Sequence, residues 1–166
     1  MSDQGPPSPG PGAYVHPVVV RWGDCDPAGL VYFPRFFEMF HDAMERWFGD
    51  ALGQPYEALI GGRKLGLPSV HTEADFSAPC RFGDRLEVEL RVTAMGRSSL
   101  ELSYRVRSAS GGEGEGEGEG ELRLRGRTVC VLMDLDASRP AHGRAVPWPD
   151  DLRARIEAFG VAEGER

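Results

Sequence analysis

Two carboxylates two residues apart, Asp24 and Asp26, stand in the stretch Gly23-Asp24-Cys25-Asp26-Pro27-Ala28-Gly29. In extended backbone, residues two apart share a side, so both acids would point one way and Cys25 the other. Paired carboxylates can attack an acyl carbon or activate a water that does. The plainer alternative is that one or both accept hydrogen bonds from amides of their own turn, as Asp commonly does. An amphipathic pattern begins just downstream, at Phe33 and Pro34, and the start of a helix presents unpaired N–H groups and the positive end of its dipole. Such an end polarises a carbonyl and holds the charge that develops on its oxygen. Other chemistry is less well supplied. Carboxylates flanking Cys25 disfavour its thiolate and no histidine is near in sequence, so it reads as packing. His16, His71 and His142 are scattered without metal-ligand spacing, and neither a metal nor a redox cofactor is expected. Gly96-Arg97-Ser98-Ser99 makes a tight turn with one cation and two hydroxyls, either an ordinary hairpin turn or a phosphate contact.

The elements that must position these groups follow from periodicity. Residues 14–21 are rich in β-branched side chains and suit a strand, with Pro17 marking an edge or bulge. Phe33, Phe36, Phe37, Phe40, Met44, Trp47 and Phe48 fall on one stripe, while Arg35, Glu38, Asp42, Glu45 and Arg46 face away, which predicts a helix of about four turns. Pro34 suits its first turn and Gly49 its left-handed stop. After a linker containing Gly61, Gly62 and Gly66 the period becomes two: Val70, Thr72, Ala74 and Phe76; Leu86, Val88, Leu90 and Val92; Leu100, Leu102, Tyr104 and Val106; then residues 122–133. Turns at residues 79–84, 96–98 and 111–120 would make these four strands an antiparallel meander whose apolar face covers the helix. Residues 152–159 suggest a short closing helix. His41 lies about 80° round the helix from Phe33, at the margin of the apolar stripe.

Composition bounds the partners. The 166 residues are 40% hydrophobic and 27% charged, ordinary for one globular domain, here placed at residues 13–160 behind a flexible Pro/Gly tail at 1–12. The net charge is −7, but it is −2 once Glu113, Glu115, Glu117, Glu119 and Glu121 are set aside. That Glu/Gly tract at 111–120 reads as a flexible hairpin loop. With no basic stripe, a nucleic-acid partner is not expected. No apolar run approaches the ~20 residues of a membrane span, the start lacks a targeting pattern, and the three separated cysteines read as reduced thiols, so a cytoplasmic protein without membrane contact is expected.

Gly23-Asp24-Cys25-Asp26-Pro27-Ala28-Gly29, followed by Val31-Tyr32-Phe33-Pro34, resembles the motif of the 4-hydroxybenzoyl-CoA thioesterase family, of the hotdog fold. The likeness covers residues 14–133, strongly at the motif and by element order beyond it. It implies an α+β fold in which one long helix is wrapped by a curved antiparallel sheet of about five strands. It also implies hydrolysis of an acyl-CoA, with Asp26 as the catalytic carboxylate and the Phe33 backbone N–H in the oxyanion role. Tyr32, His41, Arg97 and Ser98 are the implied substrate contacts, Arg97 and Ser98 near the CoA phosphates. Some relatives carry His where this chain has Phe33, and His41 falls where the 4-hydroxybenzoyl enzyme has an Asp that meets the ring hydroxyl. The expected substrate is therefore an aromatic acyl-CoA, of 4-hydroxybenzoyl or benzoyl type. The alternatives are a short or medium aliphatic chain, a dihydroxynaphthoyl group, or a non-catalytic acyl-CoA binding module. The resembling enzymes further imply a homodimer or homotetramer.

Overall fold

The computed structural model describes residues 11–109 and 120–162. The expected tail at 1–12 and loop at 111–120 fall outside these residues except for Pro11, Gly12 and Gly120. In chain order the elements are β1 (Tyr14–Val19), a 3-10 turn (Trp22–Asp24), α1 (Pro34–Asp50), α2 (Tyr56–Gly61), β2 (Leu65–Gly66), β3 (Ser69–Phe76), β4 (Arg85–Met95), β5 (Ser99–Ser108), β6 (Leu122–Val131), β7 (Met133–Asp134) and α3 (Asp150–Phe159). Five strands form one antiparallel sheet in the order β1-β4-β5-β6-β3, and β2 and β7 make a separate short pair.

The sheet lays Leu86, Val88, Leu90 and Val92 of β4, Leu100, Leu102, Tyr104 and Val106 of β5 and Leu124 of β6 against α1, as the alternation predicts. From α1 come Phe36, Met39, Phe40, Ala43, Met44, Trp47 and Phe48, all buried. Phe40 stacks on Tyr104 with ring centroids 4.3 Å apart and planes 8° from parallel. Gly126 makes room for that stack, because a Cβ there would lie 2.3 Å from the Phe40 ring.

Several expectations need correction. Phe33 precedes the helix and is 57% exposed rather than on the buried stripe, whereas Met39 and Ala43 join the core. Gly49 does not end α1; the helix continues to Asp50 and the chain turns at Gly53, whose φ is +62°. Val70 is displaced from the inner face because the pairing of β3 with β6 shifts between Ser69 and His71, leaving Val70 62% exposed. β4, β5 and β6 do form a meander, but β3 pairs with β6 instead of β4, since β1 occupies the free side of β4. Residues 77–84 are therefore a crossover and not a hairpin turn. Ser77 and Ala78 donate to the Arg123 carbonyl at 2.8 and 3.0 Å, and at the far end Gly83 donates to the Val20 carbonyl at 3.0 Å. The short α2, β2 and β7 add to the elements that periodicity predicts.

Candidate active site

The motif folds as a narrow hairpin between β1 and α1. The Tyr32 N–H donates to the Asp24 carbonyl at 2.8 Å, Cys25 bridges Val31, and the Asp26 N–H donates to the Leu30 carbonyl at 2.8 Å. Gly29, with φ +77°, supplies the left-handed step that closes it. The crossover pins the return limb, with the Val31 N–H on the Cys80 carbonyl at 2.9 Å and Leu30 bridging Arg81.

The two acids do different things. Asp24 belongs to the 3-10 turn, which breaks the alternation of extended backbone, and is only 9% exposed. Its Oδ2 accepts the Arg21 N–H at 2.8 Å, and its Oδ1 accepts Nε and Nη2 of Arg35 at 3.1 and 2.8 Å. Asp26 is half-buried. Its Oδ1 accepts the Ala28 and Leu30 N–H groups at 2.8 and 3.3 Å, while Oδ2 accepts nothing among the described residues. The alternative of loop-amide satisfaction thus holds for one oxygen of each acid, and the other oxygen of Asp24 is taken by the Arg35 guanidinium.

At the start of α1, the Arg35 and Phe36 N–H groups turn back to the Tyr32 and Phe33 carbonyls at 2.9 and 3.2 Å, and Pro34 has no N–H. The Phe33 N–H finds no acceptor among the described residues. One donor at the positive end of the helix, next in sequence to the loop that carries Asp26, is thus left without an acceptor among the described residues. Tyr32 and Phe33 are both more than half exposed beside it, their rings edge-to-face at 5.6 Å.

One turn further along α1 opens a slot of about 250 Å³. Phe37, Phe40, Met44 and Tyr104 give it aromatic and apolar walls, and Ser69, Thr72 and Thr128 line its strand side. Burial pushes the Tyr104 phenol far above its ordinary range, and its oxygen is hydrogen-bonded with Thr128. His41 sits exposed at the rim, edge-on to Tyr56 at 5.8 Å, and burial pushes the Tyr56 phenol up to about 12. The larger groove, of about 710 Å³ between β1 and the polar side of α1, includes Asp24 and Arg35 but not Asp26. Its walls mix Asp42, Glu45, Asp50 and Arg46, charges that suit water better than an acyl group.

Asp26, Tyr32 and Phe33 thus stand on the hairpin and at the helix start, and His41 lines the slot further along α1. Arg97 and Ser98 do not join them. They sit in the β4–β5 turn, at the other end of β4 from the crossover that holds the loop, roughly 30 Å away at ~3.3 Å per residue. Cys80 and Cys130 are poorly placed as nucleophiles, being buried with their thiols pushed up by burial, that of Cys80 to about 11. Sequence reasoning missed the Asp24–Arg35 pair, for which periodicity carries no signal. It had a signal for the slot in Thr72 and Thr128, hydroxyls at inward positions of otherwise apolar faces.

Comparison with known proteins bears on the fold and the family. Residues 20–156 match the thioesterase-like superfamily. A 1,4-dihydroxy-2-naphthoyl-CoA hydrolase of Synechococcus elongatus is 42% identical over 89 residues, covering 53% of this chain and 65% of that protein, so the match spans just under two thirds of the relative's length. The structure of a 1,4-dihydroxy-2-naphthoyl-CoA thioesterase from Synechocystis superposes with a TM-score of 0.72 at 28% identity, over 87% of this chain and 96% of that one. The 4-hydroxybenzoyl-CoA thioesterase of Pseudomonas sp. strain CBS-3 does so at 0.71 and 24% identity, over 86% and 98%; at that identity the likeness speaks for the fold alone. A helix wrapped by a five-stranded antiparallel sheet, with the motif at the helix start, is the hotdog arrangement, and the chain belongs to the thioesterase-like superfamily.

Proposed function

We propose that the protein hydrolyses the thioester of an aromatic acyl-CoA, giving the free acid and CoA. The observation that carries this reading is that the one segment between β1 and α1 holds an Asp26 oxygen and a Phe33 N–H that have no partner among the described residues. With the thioester carbonyl oxygen on the Phe33 N–H, the Asp26 carboxylate either attacks the carbonyl carbon or takes the proton of an attacking water; the carbon–sulfur bond then breaks and CoA leaves as the thiol. This chemistry draws on no metal or redox group. The slot beyond Phe33 takes the acyl group: its flat aromatic walls suit an arene, and three hydroxyls suit one that carries hydroxyl groups.

Among arenes, a dihydroxynaphthoyl group is favoured over 4-hydroxybenzoyl. The 42% identical relative is named for that substrate, and His41 is not the fixed anion expected of a dedicated reader of a single ring hydroxyl. Arg97 and Ser98, remote from Asp26 in their own chain, would meet a nucleotide only at the site of another copy, which fits a homo-oligomer. No helix among the described residues is long and apolar enough to cross a membrane, and we place the enzyme in the cytoplasm. The test is a panel of 1,4-dihydroxy-2-naphthoyl-, 4-hydroxybenzoyl-, benzoyl- and alkyl-CoA thioesters followed by appearance of free thiol. The expected order of kcat/KM is dihydroxynaphthoyl first and alkyl last. Long alkyl esters turning over best would overturn the aromatic reading, and binding without thiol release would make the protein a carrier.

A further inference from the structure

We infer that Asp24 is a positioning residue whose ion pair with Arg35 sets Asp26 against the Phe33 N–H. The inference rests on the proposed role of Asp26. Asp24 reaches the start of α1 twice and brackets Phe33 in doing so. Its backbone carbonyl accepts the Tyr32 N–H at 2.8 Å, and its Oδ1 holds both Nε and Nη2 of Arg35. Oδ2 meanwhile holds the Arg21 N–H, which fixes the 3-10 turn leading into the hairpin. Phe33, which with Pro34 lies between the two anchors on the helix side, carries an N–H that finds no acceptor among the described residues. Asp26, two residues along from Asp24, carries a carboxylate oxygen that accepts nothing among them. One largely buried carboxylate therefore ties together the two limbs that must hold the reacting groups in register. Arg35 is itself steadied by Glu38, one turn along α1. A misplacement of about 1 Å between a nucleophile and an oxyanion donor costs on the order of 100-fold in rate, so this tie acts on turnover more than on substrate binding.

The experiment measures kcat and KM of the full chain with 1,4-dihydroxy-2-naphthoyl-CoA and benzoyl-CoA, beside thermal unfolding, for Asp24→Asn, Arg35→Lys, Asp26→Asn and the Asp24→Asn/Asp26→Asn double variant. Asn at 24 keeps an acceptor for the Arg21 N–H, so folding is spared while the charge holding the guanidinium fork is removed. The expected result is a fall in kcat of about 10–100-fold for Asp24→Asn and for Arg35→Lys, with KM within about threefold of the native value. In the double variant, Asp24→Asn should cost less than about threefold beyond Asp26→Asn alone, because its effect runs through the carboxylate already lost. A merely structural role would lower the melting temperature and add its full cost on top of Asp26→Asn. Native kcat in Asp24→Asn, or full additivity in the double variant, overturns the inference while a large loss in Asp26→Asn leaves the proposed function standing. Near-native turnover by Asp26→Asn overturns both.

Discussion

An aspartate with one carboxylate oxygen committed to its own turn comes to the reaction already oriented. The Ala28 and Leu30 amides hold Oδ1 of Asp26, so the carboxylate cannot swing and Oδ2 is aimed by the hairpin. Asn in its place keeps an oxygen for those amides and loses the proposed nucleophile or base. Asp26→Asn is therefore expected to lower kcat by about 1,000-fold or more with KM little changed, read by saturation kinetics. His41, by contrast, is an exposed ring at the slot's rim, able to donate and to accept, where under the proposed function it would meet only the acyl end. His41→Ala is expected to preserve turnover but to shift the ratio of kcat/KM for 4-hydroxybenzoyl- over benzoyl-CoA by about 3–10-fold, the worth of one modest hydrogen bond. An unaltered ratio would remove His41 from substrate recognition. The motif was legible in sequence at this scale because its residues are contiguous. The division of labour between Asp24 and Asp26 was not, since it depends on Arg35 folding back across the hairpin.

Elements long enough to show a period were readable: α1, the three strands β4 to β6, and α3. Those of two to six residues, β2, β7 and α2, have no period to show. Strand order failed at one place for a physical reason. Short connections favour neighbouring strands, but β4 had a competing partner in β1, encoded before the helix, and that pairing is invisible to local pattern. The small elements still carry measurable energy. Arg63, just beyond α2, holds Asp151 in the first turn of α3 through two hydrogen bonds of 2.8 Å. The Arg63 guanidinium keeps the Asp151 carboxyl down at about 2, below its ordinary value of 3.8. Because the folded value is the lower one, the pair's contribution is present in full above pH 4 and is lost as the pH falls from there toward 2. Both side chains are partly exposed, so Arg63→Ala is expected to cost only about 0.5–1 kcal/mol at pH 7 in urea unfolding, and less at pH 3. An equal cost at both values would assign the effect to packing of the arginine stem.

For the whole molecule, the two faces of the sheet set how it meets a second copy. The outer face is a layer of paired charges, with Glu89 opposite Arg105, Asp75 opposite Arg125, and Arg127 bonded to Glu101. Such a face is costly to bury. β3, at the sheet's edge, is exposed along nearly its whole length, with Val70 and Phe76 more than half open. An edge of that kind is a template for another strand, and we expect at least a dimer by light scattering at micromolar concentration; a monomer would contradict it. The crossover at residues 77–84 has a different consequence, one of timing. The loop bearing Asp26 is made in the first fifth of the chain, yet it is braced by Cys80 and Arg81, and the start of that brace hangs from Arg123. A nascent chain can wind α1 early, but the hairpin gains its support only when β6 has been synthesised and has docked. In refolding from denaturant, burial of Trp47 against the sheet should accordingly be seen in fluorescence before thioester cleavage returns, and a chain truncated ahead of β6 should carry the complete motif without its activity.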